Sequence, residues 1–137
     1  MKKLQILLVE DNPEDAKIFY EHMEIVPQNE MWEVHHVCNG WEASQFLTRT
    51  PPYENAPPID LIFLDFNMPR MNGEEMLVHI KPWWKGHPVI VFLTGYGINP
   101  TKIREIYELG VSSFVQKPST FEEFQKVVNY WMDCVKL

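Results

Sequence analysis

The chain has 137 residues, 45% hydrophobic and 23% charged, which suits one globular domain with its own core and argues against disorder. A formal net charge of −7 speaks against general nucleic-acid binding, and no apolar run reaches the length of a membrane span. Lys2 and Lys3 before an apolar run mimic a signal peptide, but Glu10 and Asp11 interrupt too early, so a cytoplasmic protein is expected.

The first strand runs from Lys3 to Val9 and ends on two adjacent acids, Glu10 and Asp11. Asn12-Pro13 then starts a helix, Asn as N-cap and Pro in the first helical position. Glu14 and Asp15 in its first turn suit the helix dipole, and Ala16, Phe19, Tyr20 and Met23 give an apolar stripe that fades before Pro27. Trp32 to Val37 is a more polar strand, expected at an edge. Its neighbours His35 and His36 point to opposite faces and cannot share a metal, and His22, His79 and His87 show no ligand spacing. Cys38 and Cys134 are far apart in sequence, form no metal or redox motif, and are expected as reduced thiols used in packing. Asn39-Gly40 turns into a short helix, Trp41 to Leu47, with Ala43, Phe46 and Leu47 as its apolar positions. The four prolines between Pro51 and Pro58 make a stiff exposed loop, favoured over a Pro-rich recognition segment.

The next strand, Ile59 to Asp65, holds four apolar residues in a row and reads as buried on both faces. Asn67 to Gly73 is a turn, and Gly73 to Lys81 a helix with Met76, Leu77 and Ile80 inward, stopped by Pro82. Trp83 and Trp84 open a loop to His87 and are read as packed rather than as a contact patch. Pro88 to Leu93 is another apolar strand, ending at Thr94-Gly95. Asn99-Pro100 repeats the earlier helix start, Ile103, Ile106, Tyr107 and Leu109 follow, and Gly110 closes the helix. Val111 to Gln116 is the last strand, ending at Lys117-Pro118. Thr120-Phe121-Glu122-Glu123 is a capping box for the last helix, whose stripe is Phe124, Val127, Val128, Trp131 and Val135. Tyr130, Met132 and Leu137 are left over as apolar surface for a partner or a dimer.

Five alternations of strand and helix imply parallel strands with right-handed crossovers. The expected fold is α/β: a flavodoxin-like, doubly wound (βα)5 three-layer sandwich over residues 1–137, with sheet order 2-1-3-4-5. In that order strands one and three flank the topological switch point, where open α/β sheets bind ligands. Glu10, Asp11 and Asp65 meet there, and Thr94 and Lys117 arrive from adjacent strands on the same rim. Three clustered carboxylates repel unless a cation neutralises them, and an oxygen-lined site favours Mg²⁺. Lys117 adds a point charge suited to a phosphoryl oxygen and Thr94 a hydroxyl, which leaves Asp65 to attack phosphorus. The phosphoaspartate's charge and acceptor oxygens would draw Thr94 inward, a local event with a wider readout.

The stretches Leu7 to Asn12, Leu64 to Gly73, Leu93-Thr94-Gly95 and Phe114 to Pro118, taken in order, resemble the response-regulator receiver (CheY-like) family over almost the whole chain. The resemblance implies that Asp65 accepts a phosphoryl group from a histidine kinase or histidine phosphotransfer protein, with Mg²⁺ held by Glu10, Asp11, Asp65 and the Asn67 main-chain carbonyl. It implies Thr94 and Phe114 as a switch pair that alters the surface of strand five and helices four and five for partner binding or dimerisation. Phe114 stands where a Tyr is often found, so that hydroxyl is lost, and a cis Lys117-Pro118 bond is implied too. Asn67 and Tyr96 lie two residues beyond Asp65 and Thr94 and are expected to tune signal lifetime, Tyr96 by shielding the phosphoryl group from water.

No output domain follows the fifth helix, so a stand-alone receiver is expected. The start Glu10 to Ala16, the Pro-rich loop and Tyr130-Trp131 resemble single-domain regulators that partner phytochrome-type or hybrid kinases. A haloacid-dehalogenase-like phosphatase needs a second Asp where Asn67 stands, and usually a cap domain. A flavin-binding module needs a phosphate-cradling loop where Glu10-Asp11-Asn12 would repel phosphate. A phosphorylation-independent pseudo-receiver remains the alternative. No enzymatic activity is expected beyond the chain's own phosphorylation and dephosphorylation.

Overall fold

A computed structural model describes residues 3–26, 31–66, 68, 71–82, 84, 88–94, 99–117 and 120–135, with the backbone alone at 94 and 135. Its elements are β1 (Leu4–Val9), α1 (Pro13–Ile25), β2 (Trp32–Val37), α2 (Gly40–Thr48), β3 (Leu61–Asp65), α3 (Gly73–Ile80), β4 (Val89–Thr94), α4 (Pro100–Glu108), β5 (Ser113–Gln116) and α5 (Phe121–Val135). The sheet order is β2-β1-β3-β4-β5, with every pair parallel. The flavodoxin-like topology is the one expected.

Successive side chains of a strand point to opposite faces, so each central strand feeds two cores. Leu7, Val9, Ile62, Leu64, Ile90 and Phe92 face α2, α3 and α4 with Phe46, Leu77 and Ile106. Ile6, Leu8, Leu61, Phe63, Val91 and Leu93 face α1 and α5 with Phe19, Phe124 and Val128. The same alternation separates His35, whose ring packs on Phe46, from His36, whose ring meets Tyr20.

Asparagine begins four of the five helices. The side chains of Asn12, Asn39, Asn72 and Asn99 each accept a backbone N–H of the first turn. Each such cap stabilises its helix by about 0.5–2 kcal/mol relative to Ala. Asn72 makes a full capping box with Glu75, a role hidden in the sequence among turn-forming residues. At α5, Thr120 Oγ1 accepts the Glu123 N–H at 3.1 Å, as the capping-box motif requires.

Several expectations are corrected. β3 begins at Leu61 rather than Ile59, because the Asp60 carboxylate accepts the Gln5 N–H at 2.8 Å just outside the strand. The buried line of α5 is Phe124, Val128 and Met132, so Met132 is core rather than spare surface, while Val127 and Trp131 are only partly buried. These buried residues recur at four-residue spacing, and the predicted stripe was rotated from that line. α4 buries Ile106 alone, and Tyr107 is exposed. Cys38 and Cys134 are free, as expected, but exposed rather than packed. Cys38 stands just beyond the edge strand, where its N–H reaches Glu42 at 3.4 Å. Trp84 is buried as expected, its Nε1–H donating to the Pro88 carbonyl at 2.9 Å. Trp83, His87 and Leu137 lie outside the described residues.

Candidate functional site

The switch point lies where β1 and β3 end side by side. Val9 pairs with Leu64, and one step further along the two strands stand Glu10 and Asp65. Carboxylate oxygens of Glu10, Asp11 and Asp65 lie within 4.8 Å of one another. Glu10 and Asp65 are buried, Asp11 half-buried.

Backbone bonds fix this corner. The Glu10 N–H donates to the Val37 carbonyl at 3.0 Å, tying the end of β1 to β2. His36 Nε2 lies 2.8 Å from the Glu10 carbonyl, which defines the ring's protonated nitrogen as Nε2. The Glu10 side chain turns back to accept the Asn12 N–H through Oε2 at 3.2 Å. Beside Asp65, the Phe66 N–H donates to the Leu93 carbonyl at 3.1 Å.

Two glycines let the loop after β3 sit tightly. A Cβ on Gly73 would collide with the Phe92 ring and come within 3.2 Å of the Asp65 carbonyl. A Cβ on Gly40 would collide with the Met71 carbonyl, which the Gly40 N–H reaches at 2.9 Å. Asp65 is thus held between the start of α3 and the end of β4.

Buried like charges need a counter-charge, and Lys117 supplies one. Its Nζ lies 2.9 Å from Glu10 Oε1, 3.0 Å from Asp15 Oδ2 and 3.6 Å from Asp65 Oδ1. Burial alone would lower the Lys117 pKa; hydrogen bonds to Glu10 and Asp15 and the charges of Glu10 and Asp65 outweigh it and raise the pKa above the ordinary 10.5. A raised ammonium pKa stabilises the fold below the ordinary value and loses that effect only as pH climbs through the raised one. Lys117 is therefore a fixed cation throughout the neutral range.

The sequence marks Asp15 only as a helix-dipole acid, yet it is the second partner of Lys117. The available signal was position: Asn12-Pro13 starts α1 directly at the strand end, so its first turn lies over the rim. A cavity of about 110 Å³, lined by Glu10, Asp15, Lys117, Phe19, His22 and Phe124, opens beside these charges.

Thr94 ends β4 one step beyond the Asp65–Leu93 pair, and its partner Gln116 directly precedes Lys117. The backbone therefore brings Thr94 to the same rim. Asn67, Tyr96 and Pro118 lie outside the described residues. Phe114 is half-buried, its ring stacked on Phe92 with centroids 5.2 Å apart and planes at 12°. Phe66 closes the group at 5.9 Å from each ring. The Phe114 N–H donates to the Tyr107 hydroxyl at 3.0 Å. The sequence gives neither Phe66 nor Tyr107 a role beside Phe114, since each contact joins residues from different elements.

Chemically, the corner offers hard oxygen donors for a divalent cation and a buried carboxylate beside a fixed ammonium. The oxygen donors fit Mg²⁺ or Mn²⁺ and would suit neither a soft nor a nitrogen-preferring metal. Among the described residues no helix is long and apolar enough to cross a membrane.

The model for the response regulator receiver domain matches residues 6–129. The response regulator Rcp1 of Synechocystis sp. (strain PCC 6803) is 33% identical, the match covering 96% of this chain and 91% of that protein. The two-component response regulator ARR17 of Arabidopsis thaliana is 27% identical over 97% of this chain and 88% of its own length. The crystal structure of the phosphorylated cyanobacterial phytochrome response regulator RcpA is similar with a TM-score of 0.80 and 31% identity, covering 94% of this chain and 91% of that one. The Mn²⁺-bound form of Rcp1 gives a TM-score of 0.82 and 30% identity over 93% of this chain and 94% of that one. With its five-stranded parallel sheet and acids at the switch point, the chain belongs to the response regulator receiver domain family of two-component signalling.

Proposed function

We propose that Asp65 is the phosphoacceptor, taking the phosphoryl group from a phosphohistidine of a sensor histidine kinase or a phosphotransfer protein. The observation that carries this is the buried carboxylate at the end of β3, grouped with two further acids and 3.6 Å from a fixed ammonium. An Asp65 carboxylate oxygen attacks phosphorus, the P–O bond forms as the P–N bond breaks, and the imidazole leaves. Glu10, Asp11, Asp65 and the Asn67 main-chain carbonyl would hold Mg²⁺, which when bound neutralises charge on the transferring group. Lys117 then pairs with a phosphoryl oxygen and the Thr94 hydroxyl with another, and the Phe114 ring answers Thr94. Asn67 and Tyr96 set the lifetime, Tyr96 by keeping water from the phosphorus.

The response is read on β5, α4 and α5, by a partner or by a second copy of the chain. The edge position of β5 and the exposed Tyr107 and Tyr130 support that surface. Likeness to a phytochrome response regulator points to a phytochrome-type kinase as the donor, in the cytoplasm.

The test is the intact mass after incubation with acetyl phosphate and Mg²⁺, beside Asp65→Asn. One phosphoryl adduct on the wild type, absent from the variant and lost with chelator, is expected. No adduct from acetyl phosphate, and none from a competent kinase, would leave a module that binds partners unphosphorylated.

A further inference from the structure

Among the described residues Lys117 has two hydrogen bonds in this site, to Glu10 at 2.9 Å and to Asp15 at 3.0 Å, and Asp65 at 3.6 Å stands beyond that range. Asp15 belongs to α1 and lies outside the trio of acids that converge on one point. Its side chain is 42% exposed against 7% for Asp65, so it holds the ammonium from the solvent side of the rim. An ammonium without that anchor would keep Glu10 and turn its freed N–H toward the next negative charge, the buried acceptor carboxylate.

We infer that Asp15 is a positioning residue that draws Lys117 off Asp65, keeping the acceptor carboxylate available to a divalent cation and to phosphorus. The inference rests on the cation site proposed above. Lys117 and the cation compete for the same carboxylates, since Glu10 and Asp65 serve both. A cation taking Glu10 removes one of the two hydrogen bonds of Lys117 and repels it. Among the described residues Asp15 is the hydrogen-bond partner left, and it keeps the ammonium on the rim, where a phosphoryl group on Asp65 would meet it. An acid at this place favours cation binding through Lys117 and not only by adding negative charge.

A double-mutant cycle separates these two routes. Mg²⁺ affinity is measured by titration calorimetry on the full chain for wild type, Asp15→Asn, Lys117→Ala and the double variant. Circular dichroism melts confirm folding, and Lys117→Met replaces Lys117→Ala should the truncation loosen the rim. Asp15→Asn is expected to weaken Mg²⁺ binding about twofold to fivefold, the scale of one partly exposed ion pair. In the Lys117→Ala background the same change should have little effect, and Asp15→Glu should restore part of the affinity. An equal fall in both backgrounds, no fall, or a gain would each overturn the inference. The readout is metal binding rather than phosphorylation. A wild type that binds no Mg²⁺ would sink the cation site and this inference together, whereas bound Mg²⁺ with an equal fall in both backgrounds would sink this inference alone.

Discussion

The centre of the sheet and its β5 edge are built differently. On one side, every residue of β3 is buried, β1 is buried from Ile6 to Val9, and α1 sets Ala16, Phe19 and Met23 into the core. On the other side, no residue of β5 is fully buried and α4 contributes Ile106 alone. The acids stand on the first side, where Glu10 is tied through its N–H to β2 and through its carboxylate to the N-cap of α1. Phe114 stands on the second, held by ring stacking and one bond to an exposed tyrosine. A charge added at Asp65 therefore meets a corner that resists movement and a neighbouring edge that gives way more easily. Under the proposed function, that asymmetry makes the weakly buried edge the part expected to move and the strongly buried centre the part expected to stay.

The sharpest way to break the comparison is to truncate one large ring on each side. Phe63 is fully buried in β3, and Phe63→Ala should cost about 3–5 kcal/mol of stability. Phe114→Ala removes a half-buried ring, so about 1–2 kcal/mol is expected, with phosphoryl uptake by Asp65 retained. Urea unfolding of the two variants checks both values. Equal costs would mean that the β5 edge is as firmly built as the centre, and the proposed division of labour would fall.

A smaller effect is expected at the joint between the two sides. Gly73 starts α3 against both the Phe92 ring and the Asp65 carbonyl. Gly73→Ala should force one of them to shift, at about 1–3 kcal/mol, the range for overpacking. If Asp65 takes the strain, phosphorylation by acetyl phosphate slows; if Phe92 takes it, the rate holds and the Phe92–Phe114 stack loosens. Thermal melts and adduct kinetics on one preparation distinguish the two outcomes.

The firmly buried side was also the legible one. Runs such as Leu61-Ile62-Phe63-Leu64 carry their burial in composition, and Asn12-Pro13 carries a helix start in local chemistry. The meeting of Glu10, Asp11 and Asp65 follows from strand order alone. What the sequence misses, on either side, depends on contacts that no local pattern announces. The stripe of α5 was misplaced because Val127, Val128, Trp131 and Met132 are all apolar and only the sheet chooses which go inward. Asp15 read as a dipole acid until Lys117, 102 positions away, came within 3.0 Å. Exposed Cys38 and Cys134 show the same limit, since a thiol packs or faces water according to its neighbours.

The smallest expected effect tests the edge directly. The Tyr107 hydroxyl accepts the N–H of Phe114 on β5, the edge strand, so a side chain from α4 occupies a donor otherwise open to water or to another chain. Tyr107 is 43% exposed, so water can replace its hydroxyl in Tyr107→Phe. The loss should therefore sit near the lower end of the roughly 0.5–1.5 kcal/mol typical of one hydrogen bond. Stability barely resolves so small a change, but hydrogen exchange at the Phe114 amide does. Faster exchange at that amide, with the β3 amides unchanged, is expected from an edge held by its own latch. Unchanged exchange at Phe114 would mean that the ring stack with Phe92 and Phe66 holds the edge without Tyr107, and the switching surface would then depend on the rings alone.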